Sequence, residues 1–264
     1  MNLKDKNVIV TGAASGIGRE LVLQLVDKGA SVAALDLNVN ELEVTKSMAK
    51  DQKKVTIHKV DVSNDEDLTK FYGEFSDTYP DADCLINNAG IIQPFINVGD
   101  LDMNVVEKVM NVNFYGPLKL TKLFLPDLLK RDEANITNVS SMGGFFPFPG
   151  QTVYGSSKAA LKILSEGMYS ELLDTNVNVM LALPGAIETN ITKNSNVESK
   201  VSNEDSKMKM TSASDAAKQI IDGIEKKKFK IYVGTDSKIM NLMYKFNDKK
   251  AIGFINKKMK EMNN

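Results

Sequence analysis

Two side chains that carry much of enzyme chemistry are almost missing from this sequence: its 264 residues include one cysteine, Cys84, and one histidine, His58. A single cysteine excludes an intramolecular disulfide, and the pair offers too few soft ligands for a zinc site. Hydrolysis of the Ser-His-Asp kind would rest on His58 alone, and the alternation of Val55–Val60 makes His58 an ordinary strand residue. Cys84 precedes an apolar strand pattern with no lysine or helix start beside it, so it reads as a small core residue. Net charge is scarce too. The balance of 33 basic and 34 acidic residues leaves −1, which gives no electrostatic footprint for nucleic acid. The run Lys226-Lys227-Lys228 closes a predicted helix, where cations suit the helix dipole. No apolar stretch is long enough to span a bilayer, and Val8-Ile9-Val10 is too short for a signal peptide. The expected location is the cytoplasm.

What the chain does have is a 42% hydrophobic composition, ample for a large core, and a repeating rhythm. Strand patterns at Asn7–Thr11, Ser31–Asp36, Lys54–Val60, Ala82–Asn87, Ala134–Ser140, Asn176–Leu183 and Lys230–Val233 alternate with helical periods. The helical stretches are Gly16–Lys28, Asn40–Lys50, 102–131, 152–173 and 212–227. That alternation predicts an α/β fold: a doubly wound, Rossmann-type parallel sheet of about seven strands with helices on both faces. No linker divides the chain, so residues 1–264 read as one domain. The stretch 188–210 lacks a clean period and is the expected substrate lid, and 236–264 is an amphipathic carboxyl-terminal extension.

After the first strand comes Thr11-Gly12-Ala13-Ala14-Ser15-Gly16-Ile17-Gly18-Arg19, opening a helix. Glycines at a strand-to-helix turn let backbone N–H groups and the positive helix end meet a pyrophosphate. The spacing departs from the usual G-x-G-x-x-G, and a tight packing turn is the alternative. Asp36, near the spacing expected of a ribose-binding acid, ends the second strand. A carboxylate there accepts the adenosine ribose hydroxyls and repels a 2′-phosphate by about 4 kcal/mol at about 4 Å and an effective dielectric of about 20. With Leu37, Asn38 and Ser15 around it, no cation stands ready for that phosphate. NAD is therefore expected over NADP.

Tyr154 and Lys158 stand four apart, on one face of a predicted helix, where an ammonium can stabilise phenolate. Tyr115 and Lys119 share the spacing. Context separates the pairs: Ser141, at the end of an apolar strand, precedes Tyr154 by the same interval at which Asp102, in a helical stretch, precedes Tyr115.

These residues carry a resemblance to the short-chain dehydrogenase/reductase superfamily over nearly the whole chain. Four patterns fall in the family's order: Thr11-Gly12-x-x-x-Gly16-Ile17-Gly18, Asn87-Asn88-Ala89-Gly90, Ser141 with Tyr154-x-x-x-Lys158, and Pro184-Gly185-Ala186-Ile187-Glu188-Thr189. The resemblance implies Tyr154 as general acid/base, Ser141 on the substrate oxygen, and Lys158 on the nicotinamide ribose. It implies Asn113 as holder of a proton-relay water, with Asn111 the competing candidate. It also implies a cofactor site of Gly12, Ser15, Gly16, Ile17, Gly18, Asp36, Asp61, Val62, Asn88, Ala89, Gly90, Tyr154, Lys158, Pro184, Gly185, Ile187 and Thr189. Asn87 joins the adenosine side by the same resemblance, while Asp61 reads equally well as a strand-end turn acid.

The expected activity is hydride transfer between a nicotinamide cofactor and a secondary alcohol or carbonyl. A dinucleotide-sensing regulator and a non-redox lyase or epimerase are the alternatives. Met142, Phe145, Phe146 and Phe148, directly after Ser141, together with Met208 and Met210, are expected to wall a hydrophobic substrate. The extension carries Met240, Leu242, Met243, Phe246, Ile252, Phe254, Ile255 and Met259 among lysines. It reads as a packed helix, a lid or a membrane-surface contact. The helix bearing Tyr154 is apolar on more than one face, and with the resemblance it implies a homodimer or homotetramer.

Overall fold

The computed structural model describes residues 1–189, 191, 195 and 210–262, the last three by backbone alone. Its strands are β1 (Asn7–Thr11), β2 (Ser31–Asp36), β3 (Val55–Lys59), β4 (Cys84–Asn87), β5 (Ala134–Val139), β6 (Val177–Pro184), β7 (Ile187–Glu188), β8 (Thr211–Ser212) and β9 (Lys230–Val233). Seven form one parallel sheet in the order β3-β2-β1-β4-β5-β6-β9, and β7 pairs with β8 in a short ribbon. Register fixes which residues meet the helices: Val8 lies beside Val32 and Cys84, while Ile9, facing the other way, lies beside Ala33 and Leu85.

One face buries Val8, Val10, Val32 and Ala34 under α1 (Gly16–Asp27) and α2 (Val39–Met48), with α7 (Ala213–Glu225) beyond them; the numbering passes through α3 (Asp65–Thr78), α4 (Met103–Met110), α5 (Gly116–Leu128) and α6 (Thr152–Glu171). The opposite face buries Ile9, Leu35, Leu85 and Ile136 under Phe71 and Phe75 of α3, Phe124 of α5 and Met168 of α6. A third, smaller cluster joins Met142 and Phe146 to Met240, Ala251 and Ile255. The last three residues belong to α8 (Thr235–Phe246) and α9 (Asp248–Met262), into which the carboxyl-terminal extension divides.

Two elements differ from the sequence expectation. Helix α3 has no counterpart among the helices read from the sequence, although Asn64 caps its Glu66 and Asp67 N–H groups and Leu68, Phe71 and Phe75 line its buried face. The single helix expected over 102–131 is instead α4 and α5, joined by a π-helical turn at Asn111–Tyr115. Pro117 explains the break: it has no N–H to donate to the Asn113 carbonyl four residues earlier.

At the amino-terminal edge of the sheet, buried Asp83 holds three elements together. Its Oδ1 accepts from Lys6 Nζ at 3.2 Å and Arg131 Nε at 3.0 Å, and its Oδ2 accepts from Asn7 N at 2.9 Å. Arg131 also donates to Asp81 Oδ2 at 2.6 Å nearer the solvent. Removing a buried carboxylate strands its cations, at a cost of about 3 kcal/mol, whereas an exposed partner contributes about 1 kcal/mol or less. Asp83→Ala is therefore expected to lower the urea midpoint several times more than Asp81→Ala, both at unchanged slope. Equal midpoints in the two variants would refute the keystone role.

Candidate active site

The strand order reverses between β1 and β4, and a parallel sheet leaves a crevice beyond its carboxyl ends at such a point. A cavity of about 680 Å³ occupies that place, walled by the loops that follow β1 to β6. Of the residues expected to hold a dinucleotide, all but Gly18 and Asn87 lie on its wall. Gly18 lies behind it, where a Cβ would come 1.9 Å from the Gly12 carbonyl oxygen, so only glycine lets α1 start this close to the loop. Gly12 itself has φ +68°, the left-handed region that favours glycine. The arrangement is a backbone cradle at a helix amino terminus.

At the far end of the cradle, Asp36 Oδ2 accepts the Ala14 N–H at 3.2 Å and Oδ1 accepts the Asn38 N–H at 3.1 Å. Glu41 adds a second carboxylate to this wall and engages Arg19 at 2.6 Å. Arg19 also bonds the Ala14 carbonyl and Thr45 Oγ1, which fixes it against the loop. Lys108 of α4 reaches the cavity as well.

The ends of β1 and β4 are latched. Thr11 Oγ1 accepts the N–H groups of Asn88 and Ala89, both at 3.0 Å, and Asn88 Nδ2 donates to the Thr11 carbonyl at 2.9 Å. Asn87 departs from its expected place on the adenosine side: it is buried within the sheet, donating to Asn138 Oδ1 at 2.8 Å. Strand alternation sends its side chain away from the cavity that Asn88 and Ala89 face. Asp61 does line the cavity, yet its Oδ1 accepts from Ser63 N at 2.8 Å and Ser63 Oγ at 2.6 Å, so it is a turn acid as well.

Ser141, Tyr154 and Lys158 meet on one wall of the cavity, brought there by the end of β5 and the first turns of α6. Ser141 Oγ accepts the Gly143 N–H at 3.0 Å, which leaves its proton to donate outward. Burial pushes the Tyr154 phenol above its ordinary range, and the hydrogen bond from Ser141 works against that rise. Lys158 donates to the Val139 carbonyl at 3.0 Å, and burial lowers its pKa to about 8. Asn113 is buried and stands one layer behind: Oδ1 accepts from Ile91 N and Nδ2 donates to Ile91 O, both at 2.9 Å, with a further donation to Ser157 Oγ at 3.0 Å. Asn111 is exposed. Tyr115 is exposed too, and Lys119 pairs with Asp65 at 2.5 Å, so the second Tyr–Lys pair lies outside the cavity.

Gln93 is a positioning residue that the sequence reading passed over. Its Oε1 accepts the N–H groups of Val153 and Tyr154 at 2.7 and 3.0 Å, capping α6 from another loop, while its Nε2 donates to the Gly150 carbonyl at 2.9 Å. Gln151 returns the contact by donating to the Gln93 carbonyl at 2.8 Å. The absence of a Ser, Thr, Asp or Asn cap before Thr152 was the available signal that an outside acceptor is needed.

The aromatic run after Ser141 does not wall this cavity. Phe146 is wholly buried against Phe148 and Tyr244, Phe145 meets the edge of Tyr232, and Met142 packs with Met240. The expectation of a substrate wall made of Met142, Phe145, Phe146 and Phe148 is thus corrected: α8 and α9 cover these side chains and use them as core. The isoleucines that line this cavity instead are Ile17, Ile91, Ile92, Ile187 and Ile191. The expected lid, 188–210, lies mostly outside the described residues, as does Met208; Ser195 Oγ accepts the Ile92 N–H at 3.0 Å.

Residues 6–200 match the family described as short chain dehydrogenase. The chain belongs to that family. Among short-chain dehydrogenase relatives, the 3-oxoacyl-[acyl-carrier-protein] reductase FabG of Thermotoga maritima is 32% identical over 197 residues, covering 73% of this chain and 78% of the relative. Among solved structures, a short-chain dehydrogenase/reductase from Burkholderia phymatum in complex with NAD superposes with a TM-score of 0.79 at 22% identity, covering 88% of this chain and 90% of that one. One from Burkholderia cenocepacia in complex with NADP gives 0.80 at 24% identity, covering 97% and 99%.

A short-chain dehydrogenase that buries a charged lysine loses stability by doing so. With the folded pKa near 8 and the ordinary value 10.5, the charge opposes folding fully below pH 8, and the opposition fades as pH rises towards 10.5. Lys158→Met is expected to raise the melting temperature at pH 7, by the equivalent of up to ~3 kcal/mol, and the gain should shrink at alkaline pH. A melting temperature lowered at every pH would show that the Val139 contact outweighs the burial of the charge.

Proposed function

We propose that the protein is an NAD-dependent dehydrogenase or reductase that interconverts a hydrophobic secondary alcohol and its carbonyl. The observation that carries this reading is the convergence of Ser141, Tyr154 and Lys158 on one wall of a cavity whose other end is a glycine cradle closed by Asp36. The cradle fits a nicotinamide dinucleotide: Gly12, Gly16 and the start of α1 would hold the pyrophosphate, and Asp36 would accept the adenosine ribose hydroxyls. Thr189 and the Pro184-Gly185 turn also line the cavity, Thr189 packed against Gly16 of the cradle, where its hydroxyl would be available to the phosphate side. The dinucleotide supplies a hydride acceptor or donor and, when oxidised, a positive ring.

The chain's own residues do the rest. Ser141, its oxygen held by Gly143, donates to the substrate oxygen and keeps that oxygen beside the Tyr154 hydroxyl. Tyr154 gives a proton to a carbonyl oxygen or takes one from an alcohol. Burial favours the protonated phenol, and the ammonium of Lys158, one helical turn on, is assigned the stabilisation of phenolate when the alcohol is oxidised. Beyond its bond to Val139 the ammonium has donors for the ribose hydroxyls. Asn113, whose α-helical donor position is taken by Pro117, is assigned the water that links Lys158 to solvent.

The isoleucines Ile91, Ile92, Ile187 and Ile191 on the cavity wall support a hydrophobic substrate body, and the named carbonyl substrate of the Thermotoga relative, an acyl chain, is consistent with it. The homo-oligomer implied by the sequence is supported by Ile163, which stands exposed on the outer side of α6. Tyr154→Phe is expected to lower turnover, followed by NADH absorbance on aliphatic secondary alcohols, by at least about a thousandfold while NADH still binds. Tyr115→Phe should stay within about threefold of the parent. Near-parent turnover in Tyr154→Phe would overturn the assignment, and better turnover of polyols than of aliphatic alcohols would overturn the substrate class.

Cofactor choice has a separate test. Asp36 confronts a 2′-phosphate, while the charge of Glu41 is offset by its ion pair with Arg19, so the parent should prefer NAD through Asp36, and Asp36→Ala should narrow its NAD-to-NADP ratio of kcat/KM by about tenfold or more. A parent that turns over NADP as well as NAD would refute the electrostatic argument.

A further inference from the structure

The two carboxyl-terminal helices present an outer face that the dehydrogenase reading does not use. Their inner face is anchored at several points. Asp236 Oδ2 accepts the Ala186 N–H at 2.6 Å, Ser237 donates to the Leu183 carbonyl at 2.7 Å, and Met240 and Ile255 pack against Phe146. The outer face of α8 carries Lys238, Ile239, Leu242, Lys245 and Phe246, the i, i+1, i+4, i+7, i+8 spacing of a single stripe. Ile239 is 51% exposed, Leu242 70% and Phe246 91%; on α9, Ile252 is 42% exposed and Phe254 44%. The exposed residues of 235–257 include five lysines, Lys238, Lys245, Lys249, Lys250 and Lys257, and one acid, Asp248. The chain as a whole carries −1, so basic charge is concentrated where the apolar side chains stand out.

We propose that this face binds the surface of an anionic lipid bilayer. Interleaving decides between a bilayer and a protein partner. Lysine is depleted from the cores of protein interfaces, because burying each ammonium there needs a matching acid. At a bilayer surface the same lysine lays its methylenes along the apolar stripe and sends its ammonium to the phosphates, while leucine and phenylalanine enter the acyl boundary. Each lysine near an anionic surface strengthens partitioning by roughly fivefold. No described helix is long and apolar enough to cross a membrane, so the contact is peripheral and reversible. It does not rest on the catalytic assignment, and its test reads binding alone.

The whole chain is sedimented with phosphatidylcholine vesicles and with vesicles containing about one third phosphatidylglycerol. The parent should sediment with the mixed vesicles, weakly with the neutral ones, and less as the Debye length is cut from about 10 Å to about 3 Å by salt. The double variant L242S/F246S, altered only on the exposed stripe, should keep the parent's melting temperature and NADH affinity and lose at least about tenfold in partitioning. The double variant K238Q/K245Q should also bind more weakly and respond less to salt. A parent that stays in the supernatant with the mixed vesicles overturns the proposal, as does undiminished binding by L242S/F246S. Light scattering that shows an oligomer in the parent and a monomer in L242S/F246S would assign the stripe to a second copy of the chain, and would overturn it equally.

Discussion

Every loop that reaches the cavity leaves the same edge of one parallel sheet, and the chemistry of the site depends on that edge. Parallel pairing points the carboxyl ends of β1 to β6 in one direction, and the reversal between β1 and β4 parts the loops there. The glycine cradle, Asp36, Asp61, Asn88, Ser141 and Pro184 each follow a different strand of the sheet. The latch of Thr11 on Asn88 and Ala89 then fixes the gap between the two strands that part. Rigid strands rather than loop conformations set the distances on which the site relies.

The electrostatics of the site oppose folding, and the surroundings hold them in place. Lys158 sits buried with a carbonyl oxygen as its hydrogen-bond acceptor, and Tyr154 is half-buried beside Ser141, so neither side chain is where solvation alone would put it. Three contacts compensate by fixing backbone nearby. Asn113 clamps Ile91, Gln93 caps the first turn of α6, and Ser140 Oγ donates to the Lys158 carbonyl at 2.8 Å. Active sites commonly store such cost because a preorganised charge serves the reaction better than a solvated one.

Much of the site was legible because chemistry at a strand end writes itself in consecutive letters. The glycine turn, the Asn88-Ala89-Gly90 stretch, and Tyr154 with Lys158 are each local patterns, and the alternation of strands and helices orders them. Contacts between distant segments were not legible. Gln93 reaches Tyr154 across sixty-one positions, and nothing near Gln93 announces it. The aromatic residues after Ser141 misled for the same reason, since proximity in sequence suggested a substrate wall while α8 and α9, a hundred residues on, bury them. Asn113 and Asn111 were inseparable as letters and are separated by the turn that buries one and exposes the other. Helix α3 was passed over although its cap and apolar spacing were present, so that omission was one of reading and not of information.

The solitary cysteine has a use that its chemistry alone does not suggest. Cys84 lies at the start of β4 in the middle of the sheet, with β1 on one side and β5 on the other. Burial and the neighbouring Asp83 raise its thiol pKa, so the folded chain offers reagents neither access nor thiolate. Fraying of the carboxyl-terminal helices leaves β4 covered, and the sulfur, packed in the core cluster beneath α1 and α7, is reached only when that core face opens. The rate at which a thiol reagent labels the protein therefore counts the openings that bare this core face, a chemical clock set at the centre of the sheet.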